Sequence, residues 1–317
     1  MPDVLHGAGP HADHVIALWR VALLICGGVF AAVLIAFAAA LLRAPRARRA
    51  DPALDESPAA RRRHWRIVAA STGASLVLLF VLIGASVWTD RVLARVDLHG
   101  AQHIEVTAHQ WWWELRYDDA EVARIFSTAN ELHVPVGRPV VLTLRADDVI
   151  HSLWLPNLAG KKDLVPGRPT THVLRADVAG EFRGPCAEFC GAQHAGMVLT
   201  LIAEPQAQYD AWADAQRGSA PNAEAPQLAR GRHLFEHGSC ALCHTVVGTD
   251  AAGKMAPDLT HLGSRRTIAA GVLPNTPQTL AAWISDPQRH KPGSNMPPAA
   301  LPPDDLQALV AYLGTLQ

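Results

Sequence analysis

Two long apolar stretches open the chain. Val21 to Leu42 contains no charge, and Ile67 to Trp88 is of similar length, softened by Ser71, Thr72, Ser75 and Ser86. A bilayer-crossing helix needs about 20 mainly apolar residues, so both stretches predict spans. After Asp90 the pattern changes. His103–Ala108, Val140–Arg145, Thr171–Leu174 and Met197–Leu201 alternate in part or form short apolar runs, as strands do. Turn signals separate them at Val136–Pro139, Pro156–Asn157, Val165–Gly167 and Ala179–Gly180. Short strands at this spacing predict a sandwich or Greek-key barrel, followed by a short helix near Gln206–Gln216. Residues 218–227, Gly-Ser-Ala-Pro-Asn-Ala-Glu-Ala-Pro-Gln, read as a linker. Helical patterns return near Leu228–His237, Pro277–Ser285 and Asp304–Leu316.

Charge then orients the spans. The segment between them carries Arg43, Arg46, Arg48, Arg49, Arg61, Arg62, Arg63 and Arg66 against Asp51, Asp55 and Glu56. The preceding tail has Asp3 and Asp13 and no Lys or Arg before Arg20. The positive-inside rule puts this loop in the cytoplasm. Both termini and everything after Asp90 are then expected outside, in the periplasm of a bacterial inner (cell) membrane protein. The first stretch is longer than the roughly 7–15 residues of a signal-peptide core and is followed by arginines, so it reads as a retained anchor. Cys26, inside it, reads as small apolar packing.

Composition narrows the classes. With 317 residues the chain suggests two domains and extras. Only 18% of residues are charged and the net charge is -1, which excludes a basic nucleic-acid binder. Five cysteines are too few for a disulfide scaffold. The near-neutral total hides a basic hairpin and an acidic middle, since residues 91–217 hold 12 basic against 16 acidic side chains.

The chemistry concentrates in two motifs. The first is Cys186-Ala-Glu188-Phe-Cys190-Gly-Ala-Gln-His194-Ala-Gly-Met197, with His151 upstream. Two thiolates, two imidazoles and a thioether form a soft donor set that suits copper. Two bridging thiolates can hold two copper ions close enough to share one electron, which suits electron transfer better than bond-making. A Cys186–Cys190 disulfide and a zinc site are the alternatives; the first would close only a tiny loop and Met is a poor zinc ligand. The second motif, Cys240-Ala-Leu-Cys243-His244, is the c-type haem attachment signal, whose alternative is a redox Cys-x-x-Cys pair. His244 is the expected proximal iron ligand. Met296, in Gly293-Ser-Asn-Met296-Pro-Pro, is the expected sixth ligand, a thioether that raises the potential. Met255 lies too close to His244 in sequence, and His261 is a weaker rival. His233, His237 and His290 read as surface groups.

The first motif matches in full the loop of subunit II of cytochrome c oxidase, and residues from about 15 to 217 resemble that family. The segment Ala256–Gly263 resembles the class I cytochrome c domains fused to bacterial members. The resemblance implies a multidomain membrane protein: a two-helix transmembrane hairpin (1–90), an all-β cupredoxin (Greek-key) domain with a binuclear CuA centre (91–217), a linker (218–227) and an all-α cytochrome c domain (228–317). It implies that Cys186 and Cys190 bridge both coppers, that His151 and His194 bind one each, and that Met197 and the Glu188 carbonyl are weak axial ligands. The Glu188 carboxylate would reach a magnesium ion at the contact with subunit I, near Asp163. Gln110-Trp111-Trp112-Trp113 resembles the family's electron-accepting patch, with Trp111 near the surface as the residue where electrons arrive; core packing of a strand is the alternative reading of that run. Asp147 and Asp148 read as solvated loop residues rather than docking charges. The implied partners are oxidase subunits I and III and a cytochrome c or upstream complex as donor, with oxygen reduced in subunit I. One departure stands out: Arg63-His64-Trp65-Arg66-Ile67 holds none of the carboxylates the family often carries at the start of the second span, which puts that proton-uptake route in doubt. The rival classes are a quinol-oxidase subunit, which lacks the copper ligands, and a free-standing electron carrier, for which one anchor would suffice. Nitrous oxide reductase shares the copper motif but adds a large propeller, absent here.

Overall fold

The computed structural model describes residues 4–47, 57–95 and 97–317. The centre of the basic loop, with Arg48, Arg49, Asp51, Asp55 and Glu56, lies outside the described residues. Helices α1 (Pro10–Ala47) and α2 (Pro58–Leu93) extend well beyond the two apolar runs. Both are long and apolar enough to cross a membrane, with mean hydropathy of 2.7 and 2.3 over their best windows. Leu24, Phe30, Ile35, Leu79 and Phe80 are bare, as lipid-facing side chains must be. Ser57 caps α2 by accepting the Ala60 N–H at 3.2 Å, and Pro58 fills the first helical position, where its missing N–H costs nothing.

The middle of the chain is a β-sandwich. Its larger sheet comprises β1 (Gln102–His109), β2 (Trp112–Asp118), β3 (Phe126–Ala129), β5 (Val140–Ala146) and β8 (Thr170–Leu174), in the order β3-β2-β1-β5-β8. The smaller sheet comprises β4 (Glu131–Pro135), β10 (Val198–Glu204) and β9 (Gly180–Pro185), in that order. Two short strands, β6 (His151–Leu153) and β7 (Lys162–Leu164), pair with each other. β1 and β5 run parallel, as do β4 and β10, and every other pair is antiparallel. Alternation decides which side chains enter the core. In β2, Trp113, Leu115 and Tyr117 point inward, and Leu142 and Leu144 of β5 meet Leu132, Leu199 and Leu201 of the opposing sheet. Each such buried aliphatic contributes about 1.5–3 kcal/mol. Helix α3 (Gln206–Gln216) closes one side, with Trp212 stacked on His133 at 4.0 Å.

The remainder is helical: α4 (Pro226–His237), α5 (Pro277–Ser285), the single-turn α6 (Pro287–His290) and α7 (Pro303–Gly314). Phe235 of α4 and Tyr312 of α7 meet in a separate core with Leu280, Ile284 and Leu309. The α4–α7 crossing is close because Gly231 has no side chain: a Cβ there would meet the Ala308 carbonyl oxygen and backbone carbon. Gly231→Ala is expected to force the helices apart and destabilise the helical domain by about 1–3 kcal/mol, read as a lower Tm of its transition in the full chain.

Candidate functional site

The first motif folds where strands end. His151 opens β6, Cys186 follows β9, and Met197 precedes β10. The Cys186 N–H donates to the Met197 carbonyl at 2.9 Å and the Ala187 N–H to the Ser152 carbonyl at 2.9 Å, so the backbone ladder fixes three donors at once. Cys186 Sγ lies 3.9 Å from His151 Nδ1 and 3.3 Å from the Glu188 carbonyl oxygen. Cys190 Sγ lies 3.6 Å from His194 Nδ1 and 4.0 Å from Met197 Sδ. The two sulfurs and His151 share one buried cluster, with ligand atoms all within 4.8 Å of one another. Both cysteines are free thiols, so the disulfide alternative is not what this fold holds.

Electrostatics fit a cation there. Burial pushes the Cys186 thiol up, but hydrogen bonds from His151 and from backbone groups pull it below its ordinary value. Burial and the neighbouring Cys186 charge push Cys190 well up. One thiolate thus blocks the other until positive charge enters between them. All the sequence-expected donors of the first motif converge on this point.

Sequence reasoning misjudged Asp148. It is no free loop charge: Asp148 Oδ1 lies 2.8 Å from His151 Nε2, and its other oxygen accepts the Gln110 N–H. This carboxylate aims the imidazole so that Nδ1 faces Cys186, the outer-shell support that metal-bound histidines use. Only its position three residues before His151 hinted at the role. Asp147 sits 3.4 Å from His109 Nδ1. Glu188 keeps its carboxylate outside, 3.9 Å from Lys161 Nζ, and Asp163 is exposed; among the described residues no acidic cluster gathers around them.

The tryptophan run splits three ways. Trp113 is core. Trp112 stacks on His109 at 4.3 Å. Trp111 turns toward the copper-type loop, and its Nε1–H donates to the Cys190 carbonyl at 2.9 Å. Gly191 permits this approach, since a Cβ there would sit 3.1 Å from the indole, and its φ of +112° suits glycine. Trp111 is half-buried rather than a surface residue, because the loop bearing Met296 covers it: a Cβ on Gly293 would lie 3.6 Å from the indole.

In the helical domain, Cys240 and Cys243 are free, half-buried thiols in a short 3-10 turn after α4. His244 Nδ1 donates to the Pro257 carbonyl at 2.7 Å, which leaves Nε2 as the metal-binding nitrogen. Burial pulls its pKa down, toward the neutral form that binds iron. Met296 packs against the helical core, and Gln288 braces its loop through the Ser294 carbonyl at 2.7 Å and the Gly293 N–H at 2.8 Å. His261 is buried with Nδ1 at the Gln317 carbonyl and Nε2 at the Gly218 carbonyl, and Met255 is 79% exposed. His233 and His237 are exposed and stack on each other.

Sandwich, soft-donor loop, haem-attachment turn and two membrane-length helices define a membrane-anchored copper protein with a c-type cytochrome module. Residues 120–203 match the model of the cytochrome c oxidase subunit II periplasmic domain, and residues 228–317 match that of cytochrome c. The chain is 33% identical over 261 residues to cytochrome c oxidase subunit 2 of Bacillus sp. PS3, covering 76% of this chain and 72% of that one. It is 41% identical over 216 residues to the subunit 2 of Alkalihalophilus pseudofirmus, covering 68% and 61%. The Bacillus subtilis subunit 2 is 32% identical over 225 residues, covering 68% and 62%. In two of these three the chain thus spans just over three-fifths of the relative's length. It belongs to the cytochrome c oxidase subunit II family, with a CuA-type His/Cys/Cys/Met site and a fused cytochrome c domain.

Two outcomes follow for the loop. Copper loading of the metal-free chain is expected to release protons, because Cys190 is held protonated, and to weaken as pH falls; a dye in weak buffer reads the release. Asp148→Asn is expected to cost about 10–100-fold in copper affinity by competition with a chelator, with the fold intact by circular dichroism.

Proposed function

We propose that the chain is the electron-receiving subunit of a proton-motive cytochrome c oxidase. Electrons from a cytochrome c or an upstream complex arrive at the His244/Met296 site, pass to the Cys186/Cys190 site, and leave for subunit I, where oxygen is reduced; subunit III is a further expected partner. The observation that carries this reading is the complete soft-donor set of the first loop beside a second, haem-type donor set in one chain.

The roles divide as follows. Cys186 and Cys190 would hold copper between them, with His151, His194, Met197 Sδ and the Glu188 carbonyl as the further donors. Cys240 and Cys243 would carry the haem covalently, with His244 and Met296 as its iron ligands. Bound copper and haem supply one-electron storage. Asp148 holds the His151 ring, and the buried strands around Cys186 and Met197 exclude water, which keeps reorganisation small. Trp111 offers the route inward, through its indole N–H to the Cys190 carbonyl and on to that sulfur. A magnesium ion at the Glu188 carboxylate would take its remaining ligands from subunit I. The proposed domain bounds are 91–217 and 228–317, with 218–227 between them; α2 runs on to Leu93 and α4 starts at Pro226, so both helices cross these bounds by a few residues. The basic loop faces the cytoplasm and both termini the periplasm.

The test is an optical and EPR spectrum of the purified chain with metal analysis. Two coppers with a mixed-valence signal and one covalent haem c are expected. One copper per chain, or haem removed by acid acetone, would overturn the assignment. Trp111→Phe, which deletes the indole N–H, is expected to slow haem-to-copper electron transfer about tenfold in flash experiments while both spectra stay unchanged.

A further inference from the structure

Lys291 is 3% exposed, and its ammonium is not held by a carboxylate among the described residues. Its Nζ instead donates to three backbone carbonyls: Trp111 at 2.7 Å, Gly196 at 2.9 Å and Ala269 at 2.9 Å. An ammonium has three N–H bonds, so the donor is fully satisfied. The acceptors come from three separate segments. Trp111 belongs to the turn between β1 and β2. Gly196 precedes Met197 in the copper-type loop. Ala269 lies in a turn of the cytochrome domain where Ala269, Ala270 and Gly271 have φ of 54°, 57° and 81°.

Left-handed backbone is disfavoured for alanine and persists only where its surroundings hold it. Here it aims two carbonyls across the seam, since the Ala270 oxygen accepts the Val198 N–H at 3.2 Å. Lys291 itself starts the loop that carries Met296. The next residue, Pro292, offers its carbonyl to Gln193 Nε2 at 2.8 Å, and Gly293 faces the Trp111 indole. At the far side of the seam, Glu131 accepts the Arg266 and Thr267 N–H groups at 2.8 and 3.1 Å. Burial pulls the Lys291 ammonium down to about 7, and the neighbouring Cys190 charge acts the other way.

We propose that Lys291 is a positioning residue for electron transfer: it pins the Met296 loop to the Trp111 carbonyl and to the copper loop, so that the cytochrome domain is a seated donor and not a tethered, swinging one. The inference rests on the electron-relay reading above. A linker rich in Ala and Pro would by itself allow swinging; the seam makes that freedom unnecessary.

The test uses the full chain in detergent, loaded with copper and haem. Lys291→Met keeps the stem and leaves three carbonyls without a donor; Lys291→Gln keeps two N–H bonds. Two readouts are taken: the relaxation enhancement of the copper EPR signal by ferric haem, which follows their separation, and the flash-induced haem-to-copper rate. In Lys291→Met the enhancement is expected to fall and the rate to drop about tenfold or more, with Lys291→Gln between. The haem bands, copper hyperfine pattern and both midpoint potentials are expected to match the parent. Parent-like enhancement and rate with intact spectra would sink the proposal. So would a shifted copper pattern or potential at unchanged enhancement, which would make Lys291 a local support of the copper loop. If Lys291→Met does not accumulate, Lys291→Gln decides by the same readouts. Failure of the underlying reading shows separately, as a parent chain with no mixed-valence copper signal or no covalent haem.

Discussion

Two thiols, Cys186 and Cys190, face one buried space, and only one of them can carry charge there without a cation. Much of the sandwich serves to impose that constraint. The β9–β10 ladder holds Cys186 beside Met197, β6 presents His151 from the side, and Asp148 fixes the ring. Burial raises the cost of an uncompensated negative charge, and the same burial strengthens every bond to a cation that neutralises it. A soft-donor loop on an exposed surface would bind metal more loosely and admit water.

The cytochrome domain meets this site through backbone. Its Met296 loop lies on Trp111, its left-handed turn lies on Val198, and Lys291 ties both to the copper loop. Ion pairs are confined to the margin, where Arg266 meets Glu181. The closest contacts are therefore the least sensitive to salt, because exposed charges are screened while buried hydrogen bonds are not.

Much of this was legible in the sequence, for local reasons. Period-2 patterning marked β1, β5, β8 and β10, and helical patterning marked α3, α5 and α7, because burial on one face leaves a periodic trace. β4 was missed: all five of its residues are buried, so it shows no alternation. The two motifs were legible because ligand spacing is short. Lys291 and the covering of Trp111 were not, since they depend on segments far apart in the chain, 180 residues from Trp111 to Lys291; Asp148 is only three residues from His151, but its other oxygen is held from 38 residues away by the Gln110 N–H. The hydrogen bonds at both His261 ring nitrogens likewise depend on the C-terminus and residue 218 being brought to that ring.

The acceptors of Lys291 are all main-chain oxygens. Such oxygens survive side-chain replacement, so sequence drift at positions 111, 196 and 269 leaves the acceptor chemistry in place as long as the chain path is kept. The donor has no such insurance, because a single codon supplies all three hydrogens. The seam is thus robust on one side and fragile on the other. Tolerance at Trp111 and Gly196 is set by their other contacts, the indole on the Cys190 carbonyl and the close approach of Gln193, and not by the tie to Lys291.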